Sequence, residues 1–188
     1  MAYCANSNEY ELVKMLQKGD SSAMHTVYCR YIEFLTAVCA RYLSDEEDVH
    51  DVLQDSFVKI LTSINRFEYR EEGSLKAWMT RIVVNESLKL LKQKLRIELV
   101  EYDQKIADMQ TTEDEPDTEN IPAAVIQEMI RKLPDGYRTV FNLYVFENKS
   151  HKEIASMLNI KEKTSSSQLY RAKSLLAKLI KEYEARER

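Results

Sequence analysis

The sequence has few of the residues that interrupt helices or punctuate a many-stranded sheet. Its 188 residues include three glycines and three prolines, and this scarcity favours helices joined by short loops. There is no run of about 18 uninterrupted apolar residues, so the sequence predicts no membrane span. The first residues also lack the basic and then apolar character of a secretory signal.

Cysteine is equally rare, and its placement argues against a disulfide framework. The three cysteines, Cys4, Cys29 and Cys39, are an odd number without framework spacing, which predicts reduced thiols and a cytoplasmic protein. His25 and Cys29 are four residues apart and could formally share a metal, but ligand sets normally bring three or four residues together. We therefore predict no metal and no cofactor.

The motifs of common enzymes are missing as well. The sequence contains no glycine-rich phosphate loop, no nucleophile elbow and no pair of carboxylates in a setting that would raise a pKa. We predict that the chain is not an enzyme and has no catalytic residues.

Charge divides the chain into parts. The net charge is −4 at pH 7, whereas a protein that grips duplex DNA unaided normally has a positive surface. Acidic residues crowd residues 98–120, and apolar residues vanish from Met109 onward, so this segment cannot bury enough surface to offset its ordering entropy. We interpret 98–120 as a flexible acidic linker between two small domains, 1–97 and 121–188.

Both flanking segments carry apolar residues at helical spacing, which predicts an all-α fold. The first segment should form helices at about 9–18, 21–43, 45–64 and 74–95, with a polar loop at 65–73. The second should form helices at about 122–132, 135–146, 151–158 and 165–183.

A helix-turn-helix is the sharpest local signal. Ser150 and Glu153 have the spacing of a capping box, Asn159 stands where the turn needs a left-handed residue, and Thr164 or Ser165 is predicted to cap the next helix. This arrangement can place the second helix in the major groove of DNA, although a polar solvated face on a helical hairpin remains the alternative. The residues predicted to face DNA are Lys163, Ser165, Ser166, Ser167, Gln168, Arg171 and Lys173.

Three stretches, in order, carry a resemblance to a known family. Residues 48–57, residues 67–85 and residues 133–141 resemble the polymerase-docking helix, the promoter-melting loop and helix, and the opening of the C-terminal domain of extracytoplasmic-function (group four) sigma factors. The resemblance runs from about Glu9 to Ile180. It implies a factor that directs RNA polymerase core to specific promoters and helps to open the DNA, with an inhibitory anti-sigma factor as a further partner.

The resemblance also implies roles for particular residues. The docking helix would contact the clamp of the polymerase's largest subunit through Asp48, Asp51, Gln54 and Asp55, where Asp55 replaces the usual glutamate. The loop and the helix after it would read the minus-ten element as single strand through Phe67, Tyr69, Arg70, Lys76, Arg81, Asn85 and Lys89. Trp78 is predicted to lie in the core, and Asn85 could equally be a buried hydrogen-bonding residue.

The helix-turn-helix would then read the minus-thirty-five element as duplex, with the flap of the second-largest subunit as a neighbour. Ser166 and Gln168 stand where many relatives have arginines, and Glu71 and Glu72 are unfavourable beside DNA.

Two further readings compete with this one. A DNA-binding regulator with a response-regulator output domain should also carry an α/β receiver, which the helical first half does not predict. A helical adaptor without DNA is less favoured because no repeat of fixed period is present.

Overall fold

The computed structural model describes residues 8–98 and 121–187. Within these ranges the chain forms eight α-helices, one short 3-10 turn and no strand, which confirms the all-α prediction. The chain divides into two compact units, which meet in sequence between Leu91 and Lys92. The predicted linker, 98–120, lies outside the described residues except for Glu98, which ends a helix.

Unit 1 contains three whole helices and most of a fourth, and the starts of the first three follow from local sequence. Asn8, Asp20 and Asp45 each accept a hydrogen bond from a backbone amide of the first turn that follows, and such caps satisfy amides that have no partner within the helix. The helices are α1 (Glu9–Gln17), α2 (Ser21–Cys39), α3 (Glu46–Ser63) and α4 (Ser74–Glu98), with the 3-10 turn at Ile64–Arg66.

The end of α2 differs from the sequence-based expectation. The helix ends at Cys39 rather than near Leu43, and Tyr42 N donates to Cys39 O at 2.9 Å within a tighter turn. Tyr42 and Leu43 are nevertheless buried. The apolar periodicity therefore continued past the helix because the turn also packs into the core.

The core of unit 1 is built from one apolar face of each helix. Leu16 of α1, Leu35 of α2, Ile60 of α3 and Met79 of α4 are fully buried. Burying each of these side chains contributes roughly 1.5–3 kcal/mol, so the four helices depend on one another for their stability.

Unit 2 packs three short helices against one long one. The elements are α5 (Ala123–Arg131), α6 (Asp135–Val145), α7 (His151–Leu158) and α8 (Glu162–Glu187). The predicted positions of the first three hold to within one residue, but α8 begins three residues before the predicted start. The prediction that Thr164 or Ser165 caps α8 is therefore wrong.

Candidate polymerase and nucleic-acid interfaces

The start of α7 has the geometry that the sequence predicted. The Ser150 hydroxyl accepts from Glu153 N at 3.3 Å, and the Glu153 carboxylate accepts from Ser150 N at 2.9 Å, which confirms the capping box. The backbone N–H of Ser150, followed by its hydroxyl, lowers the pKa of Glu153. Asn159 ends the helix at φ 56° and ψ 46°, in the left-handed region that was predicted.

The tight turn after Asn159 leads directly into α8. Ile154 of α7 and Ala172 of α8 are fully buried, and Leu169 is nearly so. Helices α7 and α8 also pack directly against each other. The helix-turn-helix is thus a packed unit that displays the outer face of α8.

The outer face of α8 carries most of the side chains that were predicted to face DNA. Those that the structure exposes are Lys163, Ser166, Ser167, Arg171 and Lys173. The Arg171 guanidinium also donates to the Tyr137 hydroxyl at 3.2 Å. Gln168 is half-buried, and its side-chain amide lies beside Gly136 of α6. A Cβ at Gly136 would be 3.6 Å from Gln168 Nε2.

Ser165 corrects one of the predicted DNA contacts. Its exposure is 0%, and its hydroxyl is 3.0 Å from His151 Nδ1. The early start of α8 places Ser165 on the inner face, four residues before Leu169. His151 in turn stacks on Tyr144, with ring centroids 5.0 Å apart. Ser165 therefore joins α7 to α8 and does not face DNA.

Tyr170 is a further candidate on this face that was not predicted from the sequence. Its side chain is 52% exposed and lies three and four residues after Ser167 and Ser166, on the same outer face. An aromatic ring on this face can make apolar contact with a thymine methyl. The signal was available, because helical spacing from the two serines leads directly to this position.

The loop before α4 presents fewer contacts than predicted. Phe67 is buried, and its ring lies 5.0 Å from that of Trp78, which is itself half-buried. Because this packing buries the Phe67 ring, the prediction that Phe67 contacts DNA is corrected. Arg70 is exposed, and Tyr69 is half-buried against Tyr10, with ring centroids 5.3 Å apart.

An exposed stripe continues along α4. Arg81, Asn85 and Lys89 follow one another at intervals of four residues and are all exposed, so they share one face. Exposure rules out the alternative that Asn85 is a buried hydrogen-bonding residue. Lys76 is also exposed, but its ammonium lies 3.8 Å from the ring centroid of Phe34 on α2.

A mixed acidic and apolar surface lies on α3. Asp51, Gln54 and Asp55 are exposed, and Asp48 is half-buried near the start of the helix. Val58, three residues after Asp55, is 57% exposed. The polar residues of this surface were predicted from the sequence and the exposed valine was not, because an apolar residue in an amphipathic helix usually faces the core.

Metal chemistry and membrane insertion find no support in the described ranges. His25 and Cys29 do approach each other, with Nε2 and Sγ 3.5 Å apart. Within residues 8–98 and within residues 121–187, however, no three His, Cys, Asp or Glu side chains lie close enough together to hold a metal ion. None of the helices described there is both long and apolar enough to cross a membrane.

Comparison with known proteins identifies both units. Residues 27–97 match the family described as Sigma-70 region 2, and residues 123–176 match Sigma-70, region 4. The first match includes α3 and the 67–73 loop, and the second includes the helix-turn-helix.

Curated relatives align with this chain over most of its length. The RNA polymerase sigma-H factor of Pseudomonas aeruginosa is 26% identical over 183 residues, covering 92% of this chain and 93% of that protein. The ECF RNA polymerase sigma factor SigW of Bacillus subtilis is 28% identical over 181 residues, covering 90% and 95%. A solved structure of CnrH in complex with the cytosolic domain of CnrY is 24% identical, with a TM-score of 0.49, and covers 91% of this chain and 96% of that one. With both sigma regions in order, and relatives aligned over nine-tenths of their length, the chain belongs to the extracytoplasmic-function sigma factors, which direct RNA polymerase to specific promoters.

Proposed function

We propose that the two units divide promoter recognition between them. Residues 1–97 bind polymerase core and the opened minus-ten strand, residues 121–188 read the minus-thirty-five duplex, and residues 98–120 link the two. The observation that carries this proposal is the outer face of α8, where polar and basic side chains are exposed on a helix-turn-helix. The first helix of that motif is capped by Ser150 at its start and by Asn159 at its end.

Polymerase docking is assigned to the exposed face of α3. Asp51, Gln54 and Asp55 supply negative charge and hydrogen-bond acceptors toward the clamp of the largest subunit, and complementary charge gives speed and specificity more than raw affinity. Val58 supplies an apolar contact beside them, since removing exposed apolar surface from water favours association. Asp48, half-buried at the first turn, contributes charge from the edge.

Strand capture is assigned to the loop and the α4 stripe. Tyr69 offers a ring and Arg70 a planar cation to unstacked bases, and such stacking contributes about 1–3 kcal/mol per base. Arg81, Asn85 and Lys89 then follow the strand along α4, where the cations neutralise phosphates.

Duplex recognition is assigned to α8. Ser166, Ser167 and Tyr170 face base edges, while Lys163 and Arg171 hold phosphates on either side. A contact with the flap of the second-largest subunit would keep this helix at the correct distance from the clamp.

Regulation and location follow from the same assignment. An anti-sigma factor that covered the α3 or α8 face would block polymerase or promoter. The protein would act in the cytoplasm, where polymerase and DNA meet, and would itself catalyse no reaction.

Run-off transcription tests the proposal. Core polymerase is incubated with sheared DNA from the source organism, with and without the protein, and the 5′ ends of the transcripts are sequenced. We expect new start sites that depend on the protein and share two upstream elements. If the same start sites arose with core alone, the proposal would fail. If the protein bound those sites without core, the proposal would fail and a polymerase-independent regulator would be favoured.

A further inference from the structure

Glu9 is a carboxylate buried at an unusual place. Its exposure is 2%, although glutamate is almost never fully buried unless paired. One carboxylate oxygen accepts from Gly73 N and Leu75 N, each at 3.1 Å, and the other accepts from the Tyr31 hydroxyl at 3.2 Å. The two amides belong to the start of α4, where helix amides have no intrahelical partner and the dipole favours a negative charge.

Gln17, at the other end of α1, holds the other end of the same loop. Its side-chain amide donates to Ile64 O at 3.3 Å and to Phe67 O at 3.0 Å. Glu9 and Gln17 are eight residues apart on one helix, which corresponds to about 12 Å. Helix α1 therefore fixes the entry and the exit of the 67–73 loop at two separate points.

The backbone between these points is not restrained by regular structure. Gly73 has φ +88°, a left-handed conformation that turns the chain into α4. Between the two anchors, Tyr69 packs against Tyr10 of α1, and Arg70 is exposed. Without Glu9 and Gln17, the loop would have to be ordered when the strand binds, and that ordering would reduce affinity.

We propose that α1 is a positioning element for the 67–73 loop, with Glu9 as its principal residue and Gln17 as the second. The helix lies before residues 27–97, which carry the match to the family. The inference rests on the proposed role of the loop in holding the opened minus-ten strand. Glu9 does not contact DNA; it acts through the backbone amides of Gly73 and Leu75.

Three variants separate positioning from folding. Glu9→Met keeps the length of the side chain and removes every acceptor, Glu9→Gln keeps one acceptor oxygen, and Gln17→Met removes the amide donor from an exposed side chain. Glu11→Met is the matched control, because Glu11 is exposed on the same helix. Arg70→Ala tests the proposed role of the loop itself.

The assay uses holoenzyme reconstituted from core and the full chain. The probe is a fluorescein-labelled single strand that carries the minus-ten segment found by run-off transcription, and binding is followed by anisotropy. Affinity for core is measured in parallel, and hydrogen exchange reports on the amides of Gly73 and Leu75. We expect Glu9→Met to weaken strand binding by ~10-fold, and Glu9→Gln and Gln17→Met by ~3-fold each, where tenfold corresponds to about 1.4 kcal/mol. Affinity for core should stay within about twofold, and the two amides should exchange faster in Glu9→Met.

The outcomes distinguish this inference from the proposed function. If Arg70→Ala weakens strand binding but Glu9→Met behaves like Glu11→Met, the positioning role is wrong and the role of the loop stands. If neither Arg70→Ala nor Glu9→Met has an effect, the loop does not hold the strand, and both the positioning role of α1 and the part of the loop in strand capture are wrong. If Glu9→Met lost as much affinity for core as for the strand, Glu9 would be a structural residue and not a positioning one. If hydrogen exchange at the Gly73 and Leu75 amides were unchanged in Glu9→Met, the hydrogen bonds themselves would be contradicted.

Discussion

The N-cap of α7 offers a quantitative test of the helix-turn-helix. Replacing Ser150 with alanine removes the hydroxyl that accepts from Glu153 N and donates to the Glu153 carboxylate at 2.8 Å. Loss of such a cap costs about 1 kcal/mol, within a range of about 0.5–2. For the folded part of unit 2 that the structure describes, residues 121–187, the unfolding entropy near the midpoint is roughly 0.14 kcal/mol/K, so Ser150→Ala should lower the Tm of unit 2 by about 7 °C.

Thermal unfolding followed by circular dichroism measures this change. Ser156→Ala is the matched control, because Ser156 is exposed within the same helix and alanine there improves helix propensity by about 0.5 kcal/mol. Its Tm should be unchanged or slightly higher. Trp78, the only tryptophan, lies in unit 1, and its fluorescence transition should not move in either variant. Equal Tm values for Ser150→Ala and Ser156→Ala would refute the role given to the cap.

The same cap predicts a dependence on pH. Because hydrogen bonds from Ser150 lower the folded-state pKa of Glu153, the stability that they contribute is present above the unfolded pKa. It is lost as the pH falls through the lower, folded pKa. Glu153→Gln should therefore be less stable than wild type at pH 7, and the difference should shrink in acid. A difference that grew as the pH fell would contradict the assignment.

Three further predictions concern the two interfaces and the core. Gln54→Ala combined with Asp55→Lys should abolish co-purification with core polymerase, because like charges across an interface cost several kcal/mol, while the circular dichroism spectrum stays unchanged; undiminished co-purification would remove α3 from the docking surface. Tyr170→Ala should weaken binding to the minus-thirty-five duplex by ~10-fold in a footprinting titration, since a good contact to a base edge is worth about 1–3 kcal/mol, and Tyr170→Phe should retain most of the affinity if the ring makes the contact. Ile154→Ala should cost about 2–5 kcal/mol of unfolding free energy in urea, because the side chain is fully buried and leaves a cavity; a loss below about 1 kcal/mol would mean that α7 is not packed as described.

Helix interiors were predictable because local signals and burial agree along them. The capping box at Ser150 and the left-handed Asn159 needed no tertiary information, since both satisfy backbone groups within a few residues. The start of α8 was not predictable in this way. Thr164 and Ser165 look like caps in the sequence, but the helix begins at Glu162 and the Ser165 hydroxyl is satisfied by His151, fourteen residues earlier.

The candidate site shows the same division between local and distant causes. The acidic face of α3 and the polar face of α8 follow from periodicity, which also leads to Tyr170. The burial of Phe67 depends on Trp78, eleven residues later, and the role of Glu9 depends on amides 64 and 66 residues away. An isolated glutamate at the start of a short helix reads as a favourable charge for the dipole, and only the tertiary structure brings it to a second helix.

The negative total charge is reconciled with promoter binding by where the charges lie. Residues 98–120 contain nine acids and one lysine, a net −8, so the other 165 residues of this −4 chain carry +4. Screening limits the influence of exposed charges to about 10 Å at ordinary salt, so the acidic segment affects the α8 face only where it comes close to it. From Lys149 onward ten basic residues face five acids, and the exposed cations of α8 are among them. The proposed phosphate contacts of α8 would draw on this local excess, and the acidic face of α3 would favour a cationic partner.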